Sequence, residues 1–465
     1  MAYWAFGSCL FPVVSFCRTC SNPYFRRTLS PGVSTLPRSW SVSVTDNPSR
    51  NSRLACYSVM GAPNDSVCSC LREKLRRILH WGPIIALFNI FFIASVSLRT
   101  LLRISPPSHS IMGFVQFLVI ATLLYMILYS YFCAIFVGPG YVPLSWEPSD
   151  PQARKHLQFC RICNGYKPPR AHHCRTCGRC IMKMDHHCPW INACCGHLNH
   201  GYFLHFIHWA PIGCTFCAIM LASAVYHDWK SLPYVLLRRS SSQFLGALTN
   251  LLLNVFAFGL AVGVSLAVGT LAVYQLFALR KNQTAIESWI VAKANHWRSE
   301  TGEKPFVYPY DLGSWNNLSQ VLSLSGCAVG DGIHWPLRDG CGEYDLTVEQ
   351  IRQKEMKQLI RREYLVHRSY NGRYCPCCQF GCSIALNTPY PDEPRLRVKV
   401  GDTVAVTRWS KHWMYGELQG IKPSVSNGLH SDTPSGPRGW FPRACATKLQ
   451  STQGSKYNYN RPKQD

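Results

Sequence analysis

A chain of 465 residues with 47% apolar content is long enough for two or three folded units, and suits a soluble enzyme or a membrane protein with large aqueous parts. The formal charge of +24 requires an anionic partner, such as nucleic acid, acidic phospholipid or a phosphate-rich cofactor. Of the 24 cysteines, eight lie between Cys160 and Cys195 in Cys-x-x-Cys pairs among histidines, which argues against a small disulfide-stapled domain and favours metal.

The N-terminal region is rich in arginine and serine. Residues 1–59 contain six Arg, eleven Ser and one acidic residue, Asp46, a composition similar to that of a mitochondrial transit peptide. Four later apolar segments instead predict insertion at the endoplasmic reticulum, and Met60-Gly61 stands at a suitable distance before them for a start. We therefore expect residues 1–79 to be disordered and cytosolic, with 1–59 a candidate alternative extension and Cys68 and Cys70 candidate acylation sites.

Four apolar segments are long enough to cross a bilayer core, which takes roughly 20 helical residues. They are Trp81–Leu98, Ile111–Val137, Tyr202–Tyr226 and Leu248–Ala278. Uncharged segments of this length are rare in soluble cores, so buried helices of a soluble domain are the weaker alternative. The sequence predicts an α-helical polytopic membrane protein with four transmembrane helices.

Basic residues surround these segments unevenly. They cluster before the first segment and between the second and third, while the 99–110 and 227–247 connections are short. The positive-inside rule then places both termini and the 139–201 loop in the cytosol. Cytosolic thiols stay reduced, which again favours metal ligation.

The 139–201 loop carries two kinds of chemistry. Structural zinc prefers four thiolate or imidazole ligands, and the loop offers enough of them for two tetrahedral sites. From spacing alone, a zinc ribbon without catalytic activity is the commonest alternative. However, the loop contains more cysteines and histidines than two zinc sites use, and the residues left over include Asp185, His186 and Cys188. A thiol beside an imidazole that a carboxylate orients is an activated nucleophile.

The sequence Asp185-His186-His187-Cys188 within this loop resembles the DHHC palmitoyltransferase family. Gly138-Pro139-Gly140 resembles the family's Asp-Pro-Gly motif with the Asp replaced. Thr284-Ala285-Ile286-Glu287 resembles its Thr-Thr-x-Glu motif with the second Thr replaced, and residues 308–321 resemble its C-terminal motif.

The resemblance implies two structural zinc ions and a catalytic group. The first zinc set is Cys160, Cys163, His173 and Cys180; the second is Cys174, Cys177, His187 and Cys194. Asp185, His186 and Cys188 are then free for catalysis, while His172 and Cys195 stay unassigned. In the implied mechanism, Cys188 takes a fatty acyl group from palmitoyl-CoA or a related acyl-CoA and passes it to cysteines of substrate proteins at the cytosolic membrane face.

The polar residues of the apolar segments have a simpler interpretation. His205, His208 and Asn250 or Asn254 are expected to make polar contacts between helices. The resemblance gives Thr284 and Glu287 the role of bracing the chain after the fourth segment against the zinc domain.

Beyond the fourth segment, Thr347 opens a capping box and predicts a basic helix to about Tyr364. Cys375, Cys377, Cys378 and Cys382 form a second cysteine cluster without nearby histidines; zinc binding is one interpretation, and acylation, with Cys375, Cys377 and Cys378 as the candidate sites, is the favoured one. Alternating apolar residues over 386–450 predict a small β-barrel that resembles an SH3 domain and binds protein partners. The predicted regions are 1–79, 80–138, 139–201, 202–279, 280–345, 346–385, 386–450 and a disordered tail, 451–465.

Two other functions compete with acyl transfer. One is a catalytically silent membrane scaffold that recruits partners through the SH3-like end, and the other is a channel or carrier, which would need more intramembrane ionisable groups. We expect an integral enzyme of the endoplasmic reticulum membrane with no nucleic-acid partner. A family member that ends in an SH3-like domain resembles the reticulum-resident type.

Overall fold

The computed structural model describes residues 75–238, 241–359, 361–373, 376–389, 393–419 and 436–449. Predictions for the N-terminal region with Cys68 and Cys70, for Cys375 and for the tail lie outside these residues, and the side chain of Cys378 is likewise not described. The chain divides into two compact units, with the boundary in the sequence between Glu349 and Gln350, and each unit is described separately.

Four long helices confirm the four predicted apolar segments. They are α1 (Trp81–Ile104), α2 (Ile111–Val137), α3 (His200–Arg238) and α4 (Ser241–Arg280), with mean hydropathies of 2.0, 2.4, 1.6 and 2.3 over their most apolar parts. The side chain of His80 caps α1 and that of Ser110 caps α2 by accepting hydrogen bonds from backbone N–H groups. Helix α2 ends at Gly138, whose φ of 76° favours glycine.

The connections between the helices are shorter than predicted. Helix α1 continues to Ile104, and only residues 239–240 separate α3 from α4. The predicted 227–247 loop is therefore wrong. Asp228 is buried in α3, where it pairs with Arg103 of α1 at 2.7 Å and accepts a hydrogen bond from Asn254 of α4 at 2.9 Å. This polar cluster joins α1, α3 and α4.

Three small hairpins form the 139–201 loop. They are β1 (Phe159–Cys160) with β2 (Gly165–Tyr166), β3 (His172–Cys174) with β4 (Arg179–Ile181), and β5 (His186–Cys188) with β6 (Ala193–Cys195). Each turn contains one residue with positive φ: Asn164, Gly178 or Asn192. Asparagine and glycine tolerate this conformation better than other residues. Strands of two or three residues cannot bury an apolar core, so the hairpins depend on other interactions.

Three helices follow α4: α5 (Ala285–Thr301), α6 (Ser314–Ser319) and α7 (Asp345–Leu359). Helix α5 begins with a capping box, in which Thr284 and Glu287 each accept a hydrogen bond from the other's backbone N–H. It ends at Gly302 in the left-handed conformation. The basic helix was predicted to reach Tyr364, but it ends at Leu359, because Tyr364 belongs to a strand.

The second unit contains a five-stranded antiparallel sheet. Its strands are β7 (Arg362–Val366), β8 (Thr403–Trp409), β9 (Trp413–Leu418), β10 (Arg438–Pro442) and β11 (Ala446–Lys448), in the order β10-β9-β8-β7-β11. Short helices α8 (Cys377–Phe380) and α9 (Cys382–Leu386) lie between β7 and β8. Its core includes the fully buried residues Val404, Val406, Trp413 and Phe441.

This sheet differs from the predicted barrel in two respects. No pairing joins β10 to β11 within the described residues, so the strands form a sheet rather than a closed barrel. Strand β7 lies before residue 386, whereas Leu396 and Val398, which were expected in a strand, are buried but lie outside the five strands; Val398 makes only an isolated bridge to Tyr370. The backbone pairing of β7 with both β8 and β11 makes it an integral part of the sheet.

Candidate active site

Strand alternation separates the two histidines of the Asp-His-His-Cys sequence. Successive side chains of a strand point to opposite faces, so His186 and Cys188 of β5 share one face and His187 lies on the other. Across the hairpin, His187 pairs with Cys194 and His186 pairs with Cys195. One face of a single hairpin therefore supplies metal ligands, and the other presents a thiol and an imidazole.

On that second face, a carboxylate, an imidazole and a thiol form one hydrogen-bonded series. Nδ1 of His186 donates to Oδ2 of Asp185 at 2.8 Å, because the carboxylate can only accept. Nε2 of His186 then faces the sulfur atoms and lies 3.8 Å from Sγ of Cys195. Cys188 lies on the same face of β5 as His186, and its interactions with Cys195 and His186 favour its thiolate form. All three predicted catalytic residues thus come together at one end of β5.

The electrostatics of this face favour a thiolate. Hydrogen bonds from Cys195 and His186 lower the pKa of Cys188 to about 5, against the opposing effect of burial. Burial would lower the pKa of His186, but its hydrogen bonds with Asp185 and Cys188 raise it to about 9. Near neutral pH the pair is therefore a thiolate and an imidazolium, which is the reactive state of a nucleophilic cysteine.

Asp185 is held by groups from a distant part of the chain. The backbone N–H of Ala285 donates to Oδ1 at 2.6 Å, and Nε2 of Gln275 donates to Oδ2 at 3.1 Å. Although burial would raise the pKa of the Asp185 carboxyl, hydrogen bonding from His186 and Ala285 holds it well below its usual range. The carboxylate stays ionised and can stabilise the imidazolium. The sequence reasoning missed Gln275, whose only local signal is an amide within an apolar segment.

Two groups of cysteine and histidine side chains meet the geometry of metal sites. Cys160, Cys163, His173 and Cys180 form the first, and Cys174, Cys177, His187 and Cys194 form the second; the ligand atoms of each group lie within 4.8 Å of one another. The sulfur atoms lie 3.4 to 3.8 Å from Nδ1 of His173 and 3.4 to 3.7 Å from Nδ1 of His187. A tetrahedral zinc ion with bonds of about 2.0 to 2.3 Å brings its ligands to similar separations.

These groups contain the same eight side chains that the family resemblance assigned to zinc. His172 and Cys195, which were left unassigned, belong to neither group. Cys195 instead lies beside the triad with no exposed surface. The types of ligand favour zinc. Three thiols and one imidazole per group suit zinc better than calcium or magnesium.

A buried arginine ties the loop to the segment after α4. The Arg170 guanidinium forms a bidentate pair with Glu287, with Nε to Oε1 at 2.7 Å and Nη2 to Oε2 at 2.9 Å. Both side chains are fully buried, and Nη2 also donates to the Asn282 carbonyl at 2.6 Å. The Tyr308 hydroxyl donates to Glu287 Oε2 at 2.7 Å. Glu287 thus combines its helix-capping role with the bracing role that the resemblance implied, but Arg170, its partner, was not predicted.

Two further family-like motifs, Gly138-Pro139-Gly140 and the C-terminal motif of residues 308–321, make hydrogen bonds around the loop. The carbonyls of Pro139 and Gly140 accept from Leu198 N at 3.3 Å and Met182 N at 3.0 Å. Asn317 is fully buried and donates through Nδ2 to the Arg280 carbonyl, at the last residue of α4, at 2.8 Å. Both motifs therefore fasten the ends of membrane helices to the segments that carry the site.

The histidines of α3 do not join helices as predicted. Nε2 of His205 donates to the carbonyl of Ser323, outside the four long helices, at 2.8 Å. Nδ1 of His208 donates to the Leu204 carbonyl within its own helix at 2.7 Å. The interhelical contacts instead come from Asn254, described above, and from Asn250, which accepts from Arg99. The prediction of contacts between helices is therefore wrong for His205 and His208.

An apolar cluster surrounds the thiol on the helix side. Cys188 belongs to a buried cluster that also contains Tyr131 of α2, Phe203 and Ile207 of α3 and Ala272 of α4. The Phe203 ring meets that of His186 edge to face at 5.4 Å. Polar groups thus meet the nucleophile from one side and apolar side chains from the other, an arrangement that suits a reacting centre attached to a long apolar chain.

Comparisons with known proteins agree with this chemistry. Residues 153–291 match the model of the DHHC palmitoyltransferase family. The palmitoyltransferase ZDHHC6 of Danio rerio is 42% identical over 393 residues, which covers 81% of this chain and 93% of the relative. That of Homo sapiens is 39% identical over 415 residues, covering 84% and 99%. The probable protein S-acyltransferase 16 of Arabidopsis thaliana is 31% identical over 207 residues, covering 42% and 68%.

Proposed function

Because the chain belongs to the DHHC palmitoyltransferase family and is a protein S-palmitoyltransferase, we propose that it acts through a Cys188 thioester that His186 and Asp185 support. The observation that carries this proposal is the hydrogen bond from His186 to Asp185 at 2.8 Å, on the same strand face that carries Cys188. In this proposal, Asp185, His186 and Cys188, which are not among the metal ligands of the loop, carry out the catalysis.

In the first half of the reaction, the Cys188 thiolate attacks the thioester carbonyl of acyl-CoA. A sulfur–carbon bond forms to Cys188, and the bond between the acyl carbon and the CoA sulfur breaks. The imidazolium of His186 gives its proton to the departing CoA sulfur, while Asp185 keeps the ring oriented. The apolar cluster around Cys188 supports this step because it receives the start of the acyl chain.

In the second half, a cysteine of a substrate protein attacks the acyl-enzyme. His186, now neutral, takes the proton of the incoming thiol through Nε2, the new thioester forms, and Cys188 leaves as the thiolate that began the cycle. Splitting one transfer into two steps through a single nucleophile gives a ping-pong scheme.

Two zinc ions are proposed for the two ligand groups. Each group supplies four protein ligands, so a bound ion would have no open position and would serve the fold rather than the chemistry. His187 belongs to the second group and is adjacent in sequence to both His186 and Cys188. Metal binding there would fix the strand that carries the catalytic pair.

The membrane orientation is proposed from charge. Basic residues before α1 and between α2 and α3 support a cytosolic location for the hairpins and both termini, and the apolar helices support insertion at the endoplasmic reticulum membrane. The same basic residues suit the phosphates of CoA. Substrates would then be proteins with cytosolic cysteines close to the membrane.

The second unit is proposed to be an SH3-like interaction domain. The order β10-β9-β8-β7-β11, with a 3-10 turn at Arg443–Cys445 between the last two strands, supports this assignment. Partners bound there would be proteins. Cys375, Cys377 and Cys378 are proposed acylation sites; of these, Cys377 begins α8 and is half-buried.

The test is acyl-enzyme formation by the purified full chain with labelled palmitoyl-CoA. Wild type is expected to form a hydroxylamine-labile adduct, and Cys188→Ser to form none. Cys341→Ser is the matched control, because Cys341 is a half-buried thiol outside the site. A labile adduct that persists in Cys188→Ser would refute the nucleophile. Absence of an adduct in wild type would favour the silent scaffold instead.

A further inference from the structure

Gln275 is a polar residue on an apolar helix face. In α4 the buried residues Ala272, Gln275 and Leu279 lie three and four positions apart and therefore share one face. Ala272 and Leu279 both belong to the apolar cluster that contains Cys188. Gln275 is only 4% exposed and lies five residues before the end of α4, about 7.5 Å along the helix axis. A buried amide in such a place is costly unless it is hydrogen-bonded.

Its hydrogen bond goes to the catalytic carboxylate. Nε2 of Gln275 donates at 3.1 Å to Oδ2 of Asp185, the same oxygen that accepts from His186 Nδ1 at 2.8 Å. The other oxygen, Oδ1, accepts from Ala285 N at 2.6 Å. A carboxylate held at one oxygen can still rotate about its Cβ–Cγ bond. With anchoring donors on both oxygens its plane is fixed, and so is the direction in which it holds the imidazole.

We propose that Gln275 is a positioning residue for acyl transfer, which fixes Asp185 so that Nε2 of His186 faces the Cys188 sulfur. The proposal rests on the function assigned to the triad above. In this proposal Gln275 acts through Asp185 rather than on acyl-CoA or on the reacting sulfur. It also connects the fourth membrane helix directly to the catalytic group, across 90 residues of sequence.

The first experiment measures single-turnover acylation of Cys188 over a range of palmitoyl-CoA concentrations. Gln275→Met keeps the length of the side chain and removes the donor, and Gln275→Glu replaces the donor with an acceptor facing a carboxylate. We expect the maximal rate to fall about 10-fold or more in both, since a hydrogen bond to a charged group is lost. The concentration for half-maximal rate should stay unchanged, because binding of acyl-CoA does not involve this amide.

Two further variants separate positioning from simple structural support. Gln275→His retains an N–H donor and should recover most of the rate. Thr270→Val alters an exposed residue of the same helix, whose hydroxyl bonds only to the Leu266 carbonyl, and serves as the matched control with wild-type rates. Equal losses in Gln275→His and Gln275→Met, or an unchanged rate in Gln275→Met, would overturn the proposal.

A double-mutant cycle tests whether the effect passes through Asp185. The readout is the rate at which iodoacetamide alkylates Cys188, which stays measurable when acylation is very slow. In the Asp185→Ala background, Gln275→Met should cause no further loss. Independent losses that multiply would show that Gln275 acts by another route and would refute the proposal. Wild type lacking any acyl-enzyme would instead refute the triad function itself, so the two failures are distinguishable.

Discussion

The Cys-rich hairpins and the C-terminal sheet are stabilised by different kinds of interaction. The hairpins have strands of two or three residues, and beside a few apolar side chains such as Ile181 they bury eight cysteine thiols and the Arg170 side chain that pairs with Glu287. The sheet has strands of three to seven residues and an apolar core that includes Trp413 and Phe441. We therefore expect the hairpins to depend on metal ligation and a buried ion pair, and the sheet to depend on the hydrophobic effect.

This difference matters for the chemistry. An apolar core tolerates small shifts of its side chains, whereas metal bonds and a bidentate ion pair fix distances and angles. With a metal ion bound, His187 would provide one such fixed point between His186 and Cys188, and Glu287 provides another through the turn that presents Ala285 N to Asp185. The proposed catalytic residues would then be held at both ends by interactions with strict geometry.

Of the changes that test this comparison, removal of metal should have the largest effect on the fold and activity of the protein. Chelation is expected to unfold the hairpins and abolish acyl-enzyme formation, because structural zinc contributes about 10 kcal/mol or more to small domains of this kind. The C-terminal sheet should keep its protection. Hydrogen exchange on the full chain, before and after chelation, measures both regions at once.

Cys177→Ala provides the genetic form of this test, with Cys341→Ser as the control outside both ligand groups. The variant should bind about one zinc ion fewer per chain. If the hairpin amides remained protected after complete loss of metal, the contrast between the two regions would be wrong.

Breaking the buried ion pair should have the next largest effect. Arg170→Met leaves Glu287 charged and unpaired with no exposed surface, which we expect to cost about 3 to 5 kcal/mol. The loss should appear as a lower melting temperature in detergent and as a lower acylation rate, since the turn at Ala285 would loosen.

The control is the double variant Arg170→Met with Glu287→Gln. Removing both charges should restore much of the stability that the single variant loses, because the unpaired charge causes most of the damage. Equal destabilisation in the single and double variants would indicate that the arginine contributes by packing rather than by charge.

The sequence predicts features that are encoded over short distances. Four apolar segments predict the long helices, and the Cys-x-x-Cys pairs predict metal binding, since neighbouring residues encode each of these features; the division of the ligands into two groups came from the family resemblance. Asp185, His186 and Cys188 are likewise close in sequence, so their meeting could be foreseen.

Features that depend on distant residues escaped prediction. Arg170 meets Glu287 across 117 residues, and Gln275 meets Asp185 across 90. A single sequence gives no sign of such pairings. Strand β7 was read as the end of a basic helix because its charged residues continue that pattern, while its pairing with β8 and β11 decides its conformation.

A substitution in the apolar core should have a moderate effect confined to the C-terminal sheet. Val404 is fully buried in β8, and Val404→Ala removes about 2 kcal/mol from the stability of the sheet. Hydrogen exchange should quicken in β7, β8 and β9, while the rate of Cys188 acylation stays at the wild-type value. Val400→Ala is the matched control, because Val400 is 66% exposed. Faster exchange in the hairpins would contradict the independence of the two interiors.

Loss of the α5 cap should have the smallest effect. Thr284 accepts a hydrogen bond from Glu287 N through its hydroxyl at 3.3 Å, so Thr284→Ala should cost about 1 kcal/mol. Thr284→Ser keeps the hydroxyl and should retain the wild-type melting temperature. Because Ala285 N holds Asp185, fraying of this first turn should also slow acylation of Cys188, by a smaller factor than Arg170→Met does. A melting temperature that falls while the acylation rate stays constant would mean that Asp185 keeps its place without the cap, and that Gln275 and His186 suffice to hold the carboxylate.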